Sequence, residues 1–137
     1  MAAVELILTN EPDDRKRLHS ALEEFAAEHS ISAKALRAAD LALEEYLTNV
    51  FTHGFEQRGA HAAVIRMAVD APWLKIEVED EGKPFNPLEH PKVDTTKPLA
   101  EKEIGGLGIH LMRQFMDDLD YRRSGRTNLL TMRKRLE

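Results

Sequence analysis

The chain has 137 residues, enough for one domain with a substantial core. Its apolar content of 42%, charged content of 31% and formal net charge of −5 are ordinary for a globular chain and argue against a basic nucleic-acid binder. It has no cysteine, which excludes disulfides, thiolate metal sites and cysteine nucleophiles. No basic start leads into an apolar leader, and no apolar run reaches membrane-spanning length, so the expected location is the cytoplasm. No repeat or low-complexity tract divides residues 1–137, which are expected to form a single domain.

Val4 to Leu8 is a short apolar run and a candidate first strand, ended by Asn10-Glu-Pro. Pro12 suits a helix start, and Asp13 and Asp14 complement the positive end of the helix dipole. Leu18, Leu22 and Phe25 then mark one helical face. Glu28-His-Ser-Ile-Ser interrupts it. Ser32 is positioned to cap a long second helix that runs to about Phe51 and stops near Gly54.

In that helix Leu36, Leu43, Leu47 and Val50 suit a core face. Glu45 and Asn49 lie one turn apart on another stripe, beside Ala38 and Ala42. A carboxylate and an amide on a small-residue stripe fit the edge of a ligand site, with the alanines as its wall. Taken alone, the same pair fits a wetted helix face better.

A hairpin follows. Ile65, Met67 and Val69 alternate with Val64, Arg66 and Ala68 over residues 63–69, Asp70-Ala-Pro turns, and Leu74, Ile76 and Val78 alternate with Lys75, Glu77 and Glu79. Asp80 falls in phase with the apolar side, where a carboxylate needs a partner. Asp80-Glu-Gly also reads as a plain turn.

Residues 83–104 carry Pro84, Pro87, Pro91 and Pro98 and hold no period. So long a segment is a binding lid or an unstructured loop. Gly105-Gly-Leu-Gly108 precedes a third helix, placed at Ile109 to about Asp118, with Leu111, Met112, Phe115 and Met116 as its apolar positions. Glycines before a helix N-terminus let phosphate approach backbone N–H groups. The pattern is neither a Walker A loop nor a dinucleotide fingerprint. Two strands close the chain, near 119–123 and 128–135, around Ser124-Gly-Arg-Thr127.

Four signals therefore stand in order: Glu45-x-x-x-Asn49, Asp80-x-Gly82, Gly106-x-Gly108 and Thr127. Their order resembles the GHKL or Bergerat ATP-binding fold. The phrases Glu45-Tyr-Leu-Thr-Asn-Val-Phe-Thr-His-Gly-Phe55, Glu79-Asp-Glu-Gly-Lys-Pro-Phe-Asn-Pro87 and Ile104-Gly-Gly-Leu-Gly-Ile-His-Leu-Met-Arg-Gln-Phe-Met-Asp117 are similar to the bacterial anti-sigma factor serine/threonine-protein kinases. The resemblance covers about residues 4 to 135.

It implies an α+β, two-layer α/β sandwich with a mixed or antiparallel sheet and three main helices on one face. The whole chain would be one histidine-kinase-like ATPase domain with an ATP lid at about 88–104. By resemblance Glu45 is the general base, Asn49 the Mg²⁺ ligand, and Asp80 the acceptor for the adenine amino group. Gly82 lets backbone pass the base, Gly106, Leu107 and Gly108 meet the phosphates, and Thr127 sits near the adenine end. Helix phase separates Glu45 from its neighbour Glu44, and His53 is read as structural. The lid has Lys92, Lys97 and Lys102 but no arginine clamp.

The implied activity is ATP- and Mg²⁺-dependent phosphorylation of a serine on a small anti-sigma-factor antagonist. A sigma factor is a possible second target. The resemblance also implies a homodimer and no direct contact with nucleic acid or membrane. The alternative is a non-catalytic ATP-binding module that sequesters a partner.

Overall fold

A computed structural model of the chain describes residues 3–53, 61–89 and 106–136. Strand β1 spans Ala3–Thr9 and helix α1 Pro12–Glu28. At their junction the Asp14 carboxylate accepts both the Thr9 N–H and the Thr9 hydroxyl at 2.7 Å, which closes the turn. α1 buries Leu18, Leu22, Phe25 and Ala26 on one stripe, as its period requires. Ser30, at a φ of 55°, reverses the chain, and Ser32 caps the next helix by accepting the Ala35 N–H at 3.1 Å.

Helix α2 spans Ala33–His53. Strands β2 (Ala62–Asp70) and β3 (Trp73–Asp80) form the expected hairpin, with Ile65 opposite Val78 and Met67 opposite Ile76. A single 3₁₀ turn covers Pro87–Glu89. Helix α3 is Gly106–Phe115, followed by β4 (Asp118–Ser124) and β5 (Thr127–Arg135), joined through Gly125 at a φ of 60°. Gly125 is the residue that takes this left-handed corner without strain.

The sheet order is β1-β2-β3-β5-β4 and every pairing is antiparallel, so the sheet is not mixed. Three helices and this five-stranded sheet make the expected α+β, two-layer arrangement. One sheet face supplies Leu8, Ile65, Met67, Ile76, Val78, Leu130 and Met132 to the core. The helices meet them with Leu18, Leu43, Tyr46, Leu47 and Met112. Each such aliphatic side chain contributes about 1.5–3 kcal/mol by leaving water. The opposite sheet face is polar, where Arg66 links Glu5 at 3.1 Å and Glu79 at 3.0 Å.

The third helix begins and ends about three residues earlier than the apolar pattern suggests. Its glycines lie inside the first turn, where N–H groups have no helical partner in any case. At the other end, the Asp117 N–H donates to the Arg133 carbonyl at 2.9 Å, and strand pairing takes over from the helix.

Candidate nucleotide-binding site

The site is built where β3 ends under α2. The strict alternation of β3 carries Asp80 to the helix-facing side, and the carboxylate is 3% exposed. Its Oδ1 accepts the Gly82 N–H at 2.8 Å and the Asn128 amide at 3.0 Å. Its Oδ2 is buried and has no partner among the described residues. Burial pushes the Asp80 carboxyl above the usual carboxylate range, while the Asn128 and Gly82 hydrogen bonds and the Arg123 charge pull it back.

A buried acceptor oxygen with no donor is costly and marks a place where a ligand donor belongs. The amino group of adenine is such a donor. On this observation the residues present fit an adenine nucleotide.

Tyr46, on α2, closes the floor of this region. Burial, then the nearby Asp80 charge and Tyr121, hold its hydroxyl well above the ordinary tyrosine value, so it stays a neutral phenol. Its ring lies 6.4 Å from that of Phe85 in a stacked arrangement. Glu45 precedes Tyr46 and Asn49 follows it by three residues on the same helix.

The two acidic neighbours in α2 have different surroundings. Glu44 pairs with Arg15 of α1 at 2.9 Å, and that guanidinium also covers the Phe51 ring at 5.8 Å. No hydrogen bond or ion pair among the described residues engages the half-buried Glu45 carboxylate. Asn49 is buried, and its amide nitrogen donates to the Glu45 carbonyl at 2.7 Å. That bond leaves the amide oxygen as the atom suited to a hard cation. Ala38 and Ala42 do not line open space as expected. Both are buried, and Ala42 belongs to the hydrophobic core.

Gly82 is buried and pinned on both sides, since its carbonyl accepts Arg123 at 2.7 Å and Asn128 at 3.3 Å. Gly106, Leu107 and Gly108 form the first turn of α3, so their backbone supplies the helix N-terminus expected of them. The His53 side chain, Gly54 and most of the expected lid, 90–104, lie outside the described residues.

Thr127 opens β5 and lines a cavity of about 320 Å³ together with Asp80, His61, Ala62, Val64, Glu79 and Glu81. Its neighbour Asn128 is buried in phase with Leu130 and Met132 and bonds Asp80. Tyr121 and Arg123 of β4 complete the group, and both donate to the Asn128 side-chain oxygen.

Residues 8–134 match the histidine kinase-like ATPase domain family. The chain belongs to that family. Members of this ATPase family bind ATP, which agrees with the orphan acceptor at Asp80. The domain is 27% identical over 111 residues to the serine/threonine-protein kinase BtrW of Bordetella bronchiseptica, covering 81% of this chain and 78% of that one. It is 29% identical over 111 residues to an anti-sigma F factor of a Thermoanaerobacter species, covering 80% and 77%. The histidine kinase-like ATPase domain also superposes on a crystal structure of RsbU and RsbW domains from Mycobacterium tuberculosis, with a TM-score of 0.70 at 14% identity. That match covers 99% of this chain and 32% of the longer protein, and it bears on the fold alone.

Proposed function

We propose that this chain is an ATP-dependent serine/threonine-protein kinase that phosphorylates a small antagonist protein of the anti-sigma-factor type and so switches a regulatory partnership. The observation that carries the reading is the buried Asp80 Oδ2 without a donor, beside the helix that bears Glu45 and Asn49. The relatives named serine/threonine-protein kinase and anti-sigma F factor support it.

In this reading Asp80 accepts the adenine amino group, and Gly82 keeps the backbone close to the base. Gly106, Leu107 and Gly108 present N–H groups to phosphate. Asn49 offers its amide oxygen to Mg²⁺, whose role is to neutralise phosphate charge. Glu45 accepts the proton of the attacking serine hydroxyl. Glu44, tied to Arg15, takes no part. Thr127, which lines the same cavity as Asp80, sits near the adenine end, while its neighbour Asn128 bonds Asp80 directly.

A cytoplasmic homodimer that also holds a sigma factor completes the proposal. No described helix is long and apolar enough to cross a membrane. The test is to incubate the protein with γ-labelled ATP, Mg²⁺ and a small antagonist-type protein from the same genome. Labelled phosphoserine on that protein is the expected result. Tight ATP binding without any phosphoserine contradicts the kinase reading and supports a non-catalytic sequestering module.

A further inference from the structure

We propose that Asn128 is the positioning residue that gives this site its selectivity for a 6-aminopurine, acting through Asp80 together with Tyr121 and Arg123. The proposal rests on the adenine-binding reading of Asp80 and adds the residues that make that carboxylate selective.

Asn128 is 1% exposed, and the protein uses all of its hydrogen-bonding capacity. Its amide nitrogen donates to Asp80 Oδ1 at 3.0 Å, to the Lys83 carbonyl at 2.9 Å and to the Gly82 carbonyl at 3.3 Å. Its oxygen accepts the Tyr121 hydroxyl and the Arg123 guanidinium, the latter at 3.0 Å. No atom of the side chain is left for a ligand, so Asn128 does not read the base itself.

Those partners also fix which way the amide points. Reversing it would set the NH₂ against two donors and the oxygen against a carboxylate and two carbonyls. The Asp80 carboxylate is thereby held by one oxygen. Oδ1 is satisfied by Gly82 and Asn128, and Oδ2 alone stays buried and free. A fixed acceptor-only oxygen suits the 6-amino group of adenine and rejects a purine with a carbonyl oxygen or only hydrogen at that place.

The same contacts keep Asp80 in its accepting form. Burial raises its pKa, and the Asn128 bond, the Gly82 bond and the Arg123 charge oppose that rise. The titratable groups around it are Tyr46 from α2, Tyr121 and Arg123 from β4 across Asn128, and His61, Glu79 and Glu81, which line a cavity with it. A protonated Asp80 would present a donor in place of an acceptor. Removing Asn128 therefore moves the loss of adenine selectivity to higher pH.

The geometry also links the base region to the chain that leaves it. The Tyr121 hydroxyl accepts the Phe85 N–H at 3.2 Å, and Arg123 holds the Gly82 carbonyl. Phe85 stacks near Tyr46. Asn128 thus fixes the carboxylate and the first residues of the segment beyond it in one step.

The test compares the dissociation constants of MgATP and of purine riboside triphosphate, which lacks the 6-amino group, across a pH series. Wild-type protein is expected to prefer ATP by about 10- to 100-fold, the range of a hydrogen bond to a charged acceptor. Asn128→Leu is expected to bring that ratio below about 3-fold, and to shift the pH at which selectivity is lost upward. A variant that is merely less stable would weaken both nucleotides equally and leave the ratio intact. Arg123→Met, at an exposed side chain, is expected to lower the ratio partway and shift the pH midpoint in the same direction.

A folded Asn128→Leu variant with the wild-type ratio and midpoint overturns the proposal and leaves Asp80 as the base-reading residue. If Asn128→Leu does not fold, a wild-type ratio and midpoint in Arg123→Met overturns it. A wild-type protein without preference for ATP overturns the adenine reading and this proposal together.

Discussion

The Asn128 amide nitrogen stands 3.0 Å from Asp80 Oδ1, on the neighbouring strand and the same sheet face, while Asp80 Oδ2 remains buried without a donor. A carboxylate held in this way is poor for stability and well suited to binding. The fold retains an unsatisfied acceptor where an adenine nucleotide would supply the missing donor.

Asp80→Asn separates the two effects. The new side chain keeps an oxygen for Gly82 and Asn128 but removes the buried charge. The apo protein is expected to gain about 1 kcal/mol at neutral pH, or roughly 3 °C in melting temperature, while ATP binding weakens. The sign with pH follows from the raised pKa. The folded state holds the Asp80 proton more tightly than the unfolded one, so wild-type stability rises as pH falls from neutral through that pKa. The gain from Asp80→Asn should therefore shrink on acidification. Thermal melts of both proteins between neutral and mildly acid pH check this.

The acidic residues of α2 should divide by role. Glu45→Ala is expected to bind MgATP and to lose about 10²- to 10⁴-fold in phosphoryl transfer, the usual share of a general base. Asn49→Ala is expected to lose the Mg²⁺-dependent part of ATP binding. Glu44→Ala breaks only the partly exposed pair with Arg15 and should cost under about 1 kcal/mol of stability with transfer unchanged. Transfer rates and nucleotide titrations with and without Mg²⁺ distinguish the three.

Asp14 gives an acid-limb prediction of opposite sign to Asp80. The Thr9 hydroxyl and N–H hold its carboxyl below the ordinary carboxylate value of 3.8. That contribution is present above the unfolded value and is lost as pH falls through the folded one. Asp14→Asn should lower the melting temperature at neutral pH, and the difference should disappear in strong acid.

Tyr46 is 1% exposed between the core and Asp80. Tyr46→Ala removes a buried aromatic ring and its contact with Phe85, and should cost about 3–5 kcal/mol in urea unfolding. Tyr46→Phe keeps the ring and should cost no more than about 1.5 kcal/mol.

Much of this arrangement is legible in the chain itself. The alternation of Leu74, Ile76 and Val78 set the parity that buries Asp80, and Ser32 marked the start of α2. The parity of β5 was not legible in the same way. Leu129 and Leu130 are adjacent apolar residues, so either face suits the pattern, and a one-residue shift exchanges Thr127 for Asn128. Only pairing of Asp80 with Asn128 across β3 and β5 resolves it. Arg123 and Tyr121 were invisible for a related reason, since side chains on an edge strand read as solvated until their partners are known. The alanines beside Glu45 misled because small residues serve close packing as readily as they leave space.

The central claim is that Asp80 is the base-reading residue of a nucleotide site. Calorimetric titration of the wild-type protein and Asp80→Ala with MgATP and MgGTP tests it most directly. The expected result is saturable binding of MgATP by the wild-type protein, weak or absent MgGTP binding, and at least a tenfold loss of ATP affinity in a folded Asp80→Ala variant, as for a hydrogen bond to a charged acceptor. Equal affinity of the wild-type protein for ATP and GTP, or an unchanged ATP affinity in Asp80→Ala, would contradict the account.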